Sequence, residues 1–221
     1  MRTHFIIGLS LLIVVTCLHL FFCFKENEKG RHWSKLFIMP LLAFSLFALT
    51  SREIPLYLGI LFGWIGDIFL IFKKRSKWFL LFGLIAFLLG HALYIAEIVR
   101  LFSFRVPWPV YPIVAGIGIL FVIIGYRLVH ERLGKMALPA SFYAFTLVIM
   151  ASSAFVLCIN SLFLLGPIFI FFGCLAFILS DFLIAYTYFY RDIRRRDFFI
   201  MIPYVLAEAG ITIGIAILTL L

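Results

Sequence analysis

Charge is what this sequence has least of: Asp, Glu, Lys and Arg together make up 13% of its 221 residues, while 65% are hydrophobic. Soluble domains carry roughly a quarter charged residues and about half apolar ones. A chain of this length in water has too little polar surface to cover so many apolar side chains, which excludes a soluble globule. Cysteine is sparse too. Cys17, Cys23, Cys158 and Cys174 all fall within apolar runs and no CxxC pair occurs, so neither a disulfide framework nor a zinc motif is indicated and the four read as packing residues. Barrel strands would alternate over about ten residues, and runs such as "IIGLSLLIVVTCLHLFFCF" do not. The N-terminal run is too long for a signal peptide, has Arg2 as its early charge and is followed by no small-x-small site; it reads as a first span.

What is present is helix-length apolar sequence. Crossing the hydrocarbon core takes about 20 apolar residues, and eight stretches are candidates: 5–24, 36–50, 55–72, 78–100, 109–129, 137–159, 161–186 and 198–220. The second is short and the sixth and seventh are divided only by "CINSLF", so seven or nine spans stay open. The expected fold is all-α: a polytopic membrane bundle of about eight transmembrane helices forming a single transmembrane domain over residues 1–221. Each helix needs neighbours to bury its polar positions.

Orientation follows from the basic residues. The first, third, fifth and seventh loops hold 15 of the 19 Lys and Arg, and the opposite face keeps only Arg2, Arg52, Arg100 and Arg105. The positive-inside rule places the basic loops in the cytoplasm and both termini outside. Short loops and absent targeting signals suit a bacterial cytoplasmic membrane. The net charge of +9 is thereby accounted for without nucleic acid, and "RDIRRRD" needs no partner beyond the bilayer.

Ionisable residues inside a spanning helix cost about 2.5–3.5 kcal/mol on insertion scales and usually face the bundle interior. The carboxylates within the spans are Asp67, Glu97, Asp181 and Glu208; the histidines are His19 and His91. At about 1.5 Å per residue, Asp67 stands roughly 9 Å above the cytoplasmic end of its helix, Asp181 and Glu208 roughly 14–15 Å, and His91 roughly 20 Å with Tyr94 on the same face. These four can line one cavity reached from the cytoplasmic half. Glu97 lies near the far end, where it can snorkel out. Gly59, Gly63 and Gly66 of "LGILFGWIGD" lie on or near the face of Asp67 and admit either a neighbouring helix or a lipid chain.

"GDIFLIF" in the third span parallels "SDFLIAY" in the seventh. The two lie four spans apart, point the same way, and fit a four-plus-four internal duplication about an axis along the membrane normal. In that frame His91 corresponds approximately to Glu208.

Removing a carboxylate from water disfavours its charged form, so two such groups can divide acid and base roles. That suits cleavage through an oxocarbenium-like state. His91 can orient water, relay a proton or hold a phosphate, and Tyr94 and Tyr204 can hydrogen-bond a substrate oxygen. No GxSxG elbow occurs, and a zinc hydrolase usually needs three protein ligands where only His91 among the histidines lies deep. Neither metal nor cofactor is expected.

"GDIFLIF", "FGLIAFLLGHALYI" and "FILSDFLIAYTYF", in this order and spacing, resemble the lysoplasmalogenase (YhhN-like) family, and with the eight-span layout the resemblance covers most of the chain. It implies an ether hydrolase that splits the vinyl-ether bond of a lysophospholipid, a lysoplasmalogen, into a fatty aldehyde and a glycerophospho-alcohol. The family's polar signature falls on Asp67, His91, Tyr94, Ser180 and Asp181. "IPYVLAEAG" resembles its closing segment, with Tyr204 at the family's tyrosine and Glu208 where the family tends to have glutamine. The resemblance thus implies Asp67, Asp181 and His91 as catalytic, and Tyr94, Ser180, Tyr204 and Glu208 as substrate-binding. The rival is a proton-coupled small-molecule or lipid transporter using the same buried Asp, Glu and His as a relay.

Overall fold

The computed structural model describes residues 2–50, 53–73, 75–101, 134–161 and 164–220, with scattered positions between 112 and 127. Seven long helices run through them: α1 Arg2–Phe24, α2 Glu28–Thr50, α3 Ile54–Ile71, α4 Lys77–Arg100, α5 Ala137–Asn160, α6 Leu165–Phe189 and α7 Arg196–Thr219. The described positions between 112 and 127 are helical too, but most of the expected fifth span, 109–129, and Arg52 and Arg105 lie outside the described residues. Among the described residues six helices are long and apolar enough to cross a membrane: α1, α3, α4, α5, α6 and α7. The chain is an integral multi-pass membrane protein with an all-helical fold. Helices suit lipid because every backbone donor and acceptor is satisfied within the segment.

Local chemistry sets the helix ends. Asn27 accepts from the Gly30 amide at 3.0 Å at the start of α2, and the Ser76 hydroxyl accepts from the Trp78 amide at 3.3 Å at the start of α4, both N-cap bonds. Pro55 stands in the first turn of α3, where a missing N–H costs nothing. The break expected at "CINSLF" is real: α5 ends at Asn160 and α6 begins at Leu165. The start of α2 differs from expectation. The helix runs back to Glu28, so Lys29, Arg31 and Lys35 stand on its first two turns rather than in a loop. Helical hydrogen bonding can continue beyond the apolar run wherever charged side chains find water or partners.

Two helices carry interior prolines, Pro40 in α2 and Pro203 in α7. A proline leaves the carbonyl four residues back without its donor. For Pro40 that carbonyl belongs to Leu36, and the Trp64 indole of α3 donates to it at 2.9 Å. The bond joins α2 to α3 just above Lys35.

Chain neighbours pair closely, α6 with α7, α3 with α4 and α1 with α2; α4 also packs on α5, and α7 on α1 and α2. Glycines let two of these pairs meet backbone to backbone. A Cβ on Gly90 would stand 3.1 Å from the Gly59 carbonyl oxygen, and one on Gly214 only 2.6 Å from that of Gly166. Met39, Leu46, Ile60, Met150, Phe177 and Ile211 form part of a continuous apolar core. Phe47, Phe142, Phe172 and Leu206 point outward, as a lipid-facing surface requires.

Candidate functional site

The polar side chains inside this bundle form three tyrosine–carboxyl pairs. On α3, Asp67 is 1% exposed. Its Oδ2 accepts from the Tyr204 hydroxyl of α7 at 2.6 Å, and its Oδ1 lies 3.0 Å from the Lys35 Nζ of α2. On α6, Asp181 accepts a short hydrogen bond from the Tyr143 hydroxyl of α5. On α7, Glu208 accepts from the Tyr94 hydroxyl of α4 at 2.9 Å. Buried polar groups are costly unless paired, and each of these carboxyl groups has a phenol from another helix. The carboxyls also lie near enough to one another to interact electrostatically, Asp181 with Asp67, and Glu208 with both.

His91 stands among rings rather than among charges. Phe177 meets it edge-on at 4.5 Å, Tyr143 lies 5.5 Å away and Phe87 stacks at 6.3 Å. Phe177 and Phe87 in turn pack on the Tyr204 ring at 5.7 and 6.4 Å. The side chain is 2% exposed and its Nδ1 has no hydrogen-bond partner among the described residues. An orphaned buried donor or acceptor normally costs free energy.

The glycines of α3 seat this assembly. A Cβ on Gly59 would stand 2.4 Å from the Tyr94 ring, one on Gly66 2.7 Å from the Phe87 ring, and one on Gly63 2.8 Å from Met39 Cε. The face that carries Asp67 is therefore both a packing seam and the floor beneath Tyr94 and Phe87.

The family model of the YhhN family matches residues 30–215, a stretch that contains every residue of this site. The chain belongs to the YhhN family. No curated protein and no solved structure matches the chain.

In this YhhN chain the residues expected from sequence meet in part. Asp67 touches Tyr204, Tyr94 touches Glu208, and His91 is joined to both aspartate regions through Tyr143 and the shared phenylalanines. Asp181 is half-buried. Ser180 is buried and its hydroxyl donates to the Ile200 carbonyl at 3.2 Å, which fastens α6 to α7 one turn below Pro203. Glu97 does not snorkel: it is fully buried and held by Arg100, which also pairs with Glu53. That cluster lies at the opposite end of the bundle from Lys35.

Lys35 and Tyr143 escaped the sequence reading. Lys35 looked like one more loop cation because it precedes the apolar run, although a helix starting a turn or two earlier carries it inward. Tyr143 sits in the middle of "SFYAF", where a phenol needs a hydrogen-bond partner once buried; that requirement was the available signal. Among the described residues no three His, Cys, Asp or Glu side chains gather as a metal site.

Proposed function

We propose that this YhhN-family protein is a lysoplasmalogenase-like intramembrane hydrolase that cleaves the vinyl-ether bond of a lysoplasmalogen. The observation that carries the reading is the pair of aspartates in unlike surroundings. Asp67 has a cation at 3.0 Å, whereas no cation pairs with Asp181 among the described residues. Such a difference suits two carboxyl groups with separate tasks.

In the proposed reaction Asp181 delivers a proton to the β-carbon of the vinyl ether, and the oxygen-bearing carbon becomes an oxocarbenium ion. Asp67, oriented by Tyr204, faces the developing positive charge and takes a proton from the attacking water. The resulting hemiacetal collapses to a fatty aldehyde and a glycerophospho-alcohol, with one water consumed and the proton returned to Asp181. His91, with its unpartnered Nδ1, positions the water. The basic face is assigned to the cytoplasm on the positive-inside rule, so the head group enters from there.

Purified protein in detergent, supplied with lysoplasmenylethanolamine, is expected to release aldehyde, and folded Asp67→Asn and Asp181→Asn variants are expected to lose at least 100-fold in rate, about 2.7 kcal/mol of barrier. Detergent abolishes any proton gradient, so turnover there separates hydrolysis from coupled transport. Absence of release over a panel of vinyl-ether and ester lysolipids sinks the hydrolase reading.

A further inference from the structure

At the basic end of the bundle a recess of about 60 Å³ opens between α1, α2, α3, α6 and α7. A single water needs roughly 10–15 Å³ of such space, so the recess admits several waters or one small polyatomic group. Arg31, Lys35, Lys73 and Arg196 line it, opposed by Glu28 and Asp197, with His19 and His32 at its wall. Cations outnumber carboxylates there. Asp197 is paired with Arg31 and lies 3.8 Å from Arg196 Nε, Glu28 lies 3.9 Å from Arg31, and Asp192 pairs with Arg196 at 3.0 Å; each guanidinium, with five N–H donors, keeps donors beyond these pairs.

The positive-inside rule explains why basic residues gather on this face but not why they turn inward. The Arg31 and Lys35 side chains are only 17% and 16% exposed. Lys35 connects two places at once: it lines the recess, and its ammonium is 3.0 Å from Asp67. Converging guanidinium and ammonium groups in a concave site are suited to phosphate, whose oxygens accept several charge-assisted bonds at once.

We propose that this recess binds a phosphate group, with Lys35 shared between that phosphate and Asp67. In the hydrolase reading, on which the lipid assignment rests, the phosphate belongs to the substrate's head group. A glycerol backbone anchored by its phosphate at Lys35 then runs inward and presents its ether oxygen to Asp67 and Tyr204. As the phosphate draws the ammonium toward itself, Asp67 is left to face the oxocarbenium ion. Binding of the right head group thereby prepares the carboxylate for the reaction.

The test is ligand-induced thermal stabilisation in an uncharged detergent, using the saturated 1-O-alkyl lysophosphatidylethanolamine, which has no vinyl ether to cleave, beside 1-O-alkylglycerol and inorganic phosphate. The phospholipid is expected to stabilise the parent more than the alkylglycerol does. Lys73→Glu and Arg196→Gln are each expected to weaken apparent phospholipid affinity by about tenfold, the equivalent of one lost charge-assisted bond, while leaving the alkylglycerol response intact. Arg191→Glu, an exposed basic position outside the recess, is expected to behave as the parent. Equal stabilisation by phospholipid and alkylglycerol overturns the proposal, as does full phospholipid affinity in both recess variants. Inorganic phosphate acting as strongly as the phospholipid, and lost in the same variants, supports the phosphate site and assigns it to a free anion. The intact binding pattern without aldehyde release from the vinyl-ether lipid supports the site while sinking the hydrolase reading.

Discussion

Tyr94 donates to Glu208 across 114 residues of chain, and Asp181 follows Asp67 at that same separation. Gly59 and Gly173 share the spacing as well, and both sit where a side chain would strike the partner helix. Helix packing follows the same exchange: α4 packs on α5 as α7 packs on α2. A four-plus-four repeat places its members in this way, with Tyr94 and Glu208 as equivalent positions meeting at the centre. In a repeat of that kind the 114-residue spacing sets Tyr94 opposite Glu208, three residues from the approximate correspondence with His91.

The central pair predicts how substitutions at Glu208 divide. Glu208→Gln keeps an oxygen for the Tyr94 hydroxyl and is expected to leave the thermal midpoint in detergent nearly unchanged. Glu208→Leu strands a buried phenol, at a cost of about 1–3 kcal/mol, and is expected to lower the midpoint clearly. Equal midpoints for the two variants contradict the pairing.

Lys35 and Asp67 form a buried ion pair, and loss of one partner of such a pair costs about 3–5 kcal/mol. Lys35→Met is expected to destabilise the protein on that scale, and Lys35→Met combined with Asp67→Asn to recover a large part of the loss. Chemical denaturation of the four members of the cycle measures the coupling. Additive effects would show that the two groups do not meet.

The seat beneath Tyr94 gives a packing test. Gly59→Ala puts a methyl group 2.4 Å from the ring and is expected to cost about 1–3 kcal/mol, in the range for overpacking, with reduced hydrolysis as Tyr94 shifts. Gly116→Ala meets nothing within 4 Å among the described residues and is expected to stay within about 0.5 kcal/mol of the parent. Thermal midpoints and initial rates of both variants decide it.

Tyr143 donates to the aspartate proposed as the acid. Tyr143→Phe retains the ring beside His91 and removes only the hydroxyl, so the fold is expected to persist. The rate is expected to fall about tenfold or more, the worth of a hydrogen bond to an ionisable group. An unchanged kcat in the folded variant removes Tyr143 from the site.

By itself the sequence determined the membrane location, the helical fold and most helix boundaries. Lipid permits a helix to keep its backbone bonds internal wherever about 20 apolar residues run together, and that property is written along the chain. It also singled out Asp67, Asp181, His91, Tyr94, Tyr204 and Glu208, because polar groups are rare and costly at such depth. Tertiary structure decided the partners. A lipid-embedded helix is apolar on every side, so no periodic pattern tells which face turns inward or which phenol meets which carboxyl. In sequence Lys35 reads as a loop cation, and nothing in "FILSDF" tells which group the Ser180 hydroxyl meets. One then came to rest beside Asp67 and the other on the Ile200 carbonyl, because rotation and contact between helices settle where each polar group finds its partner.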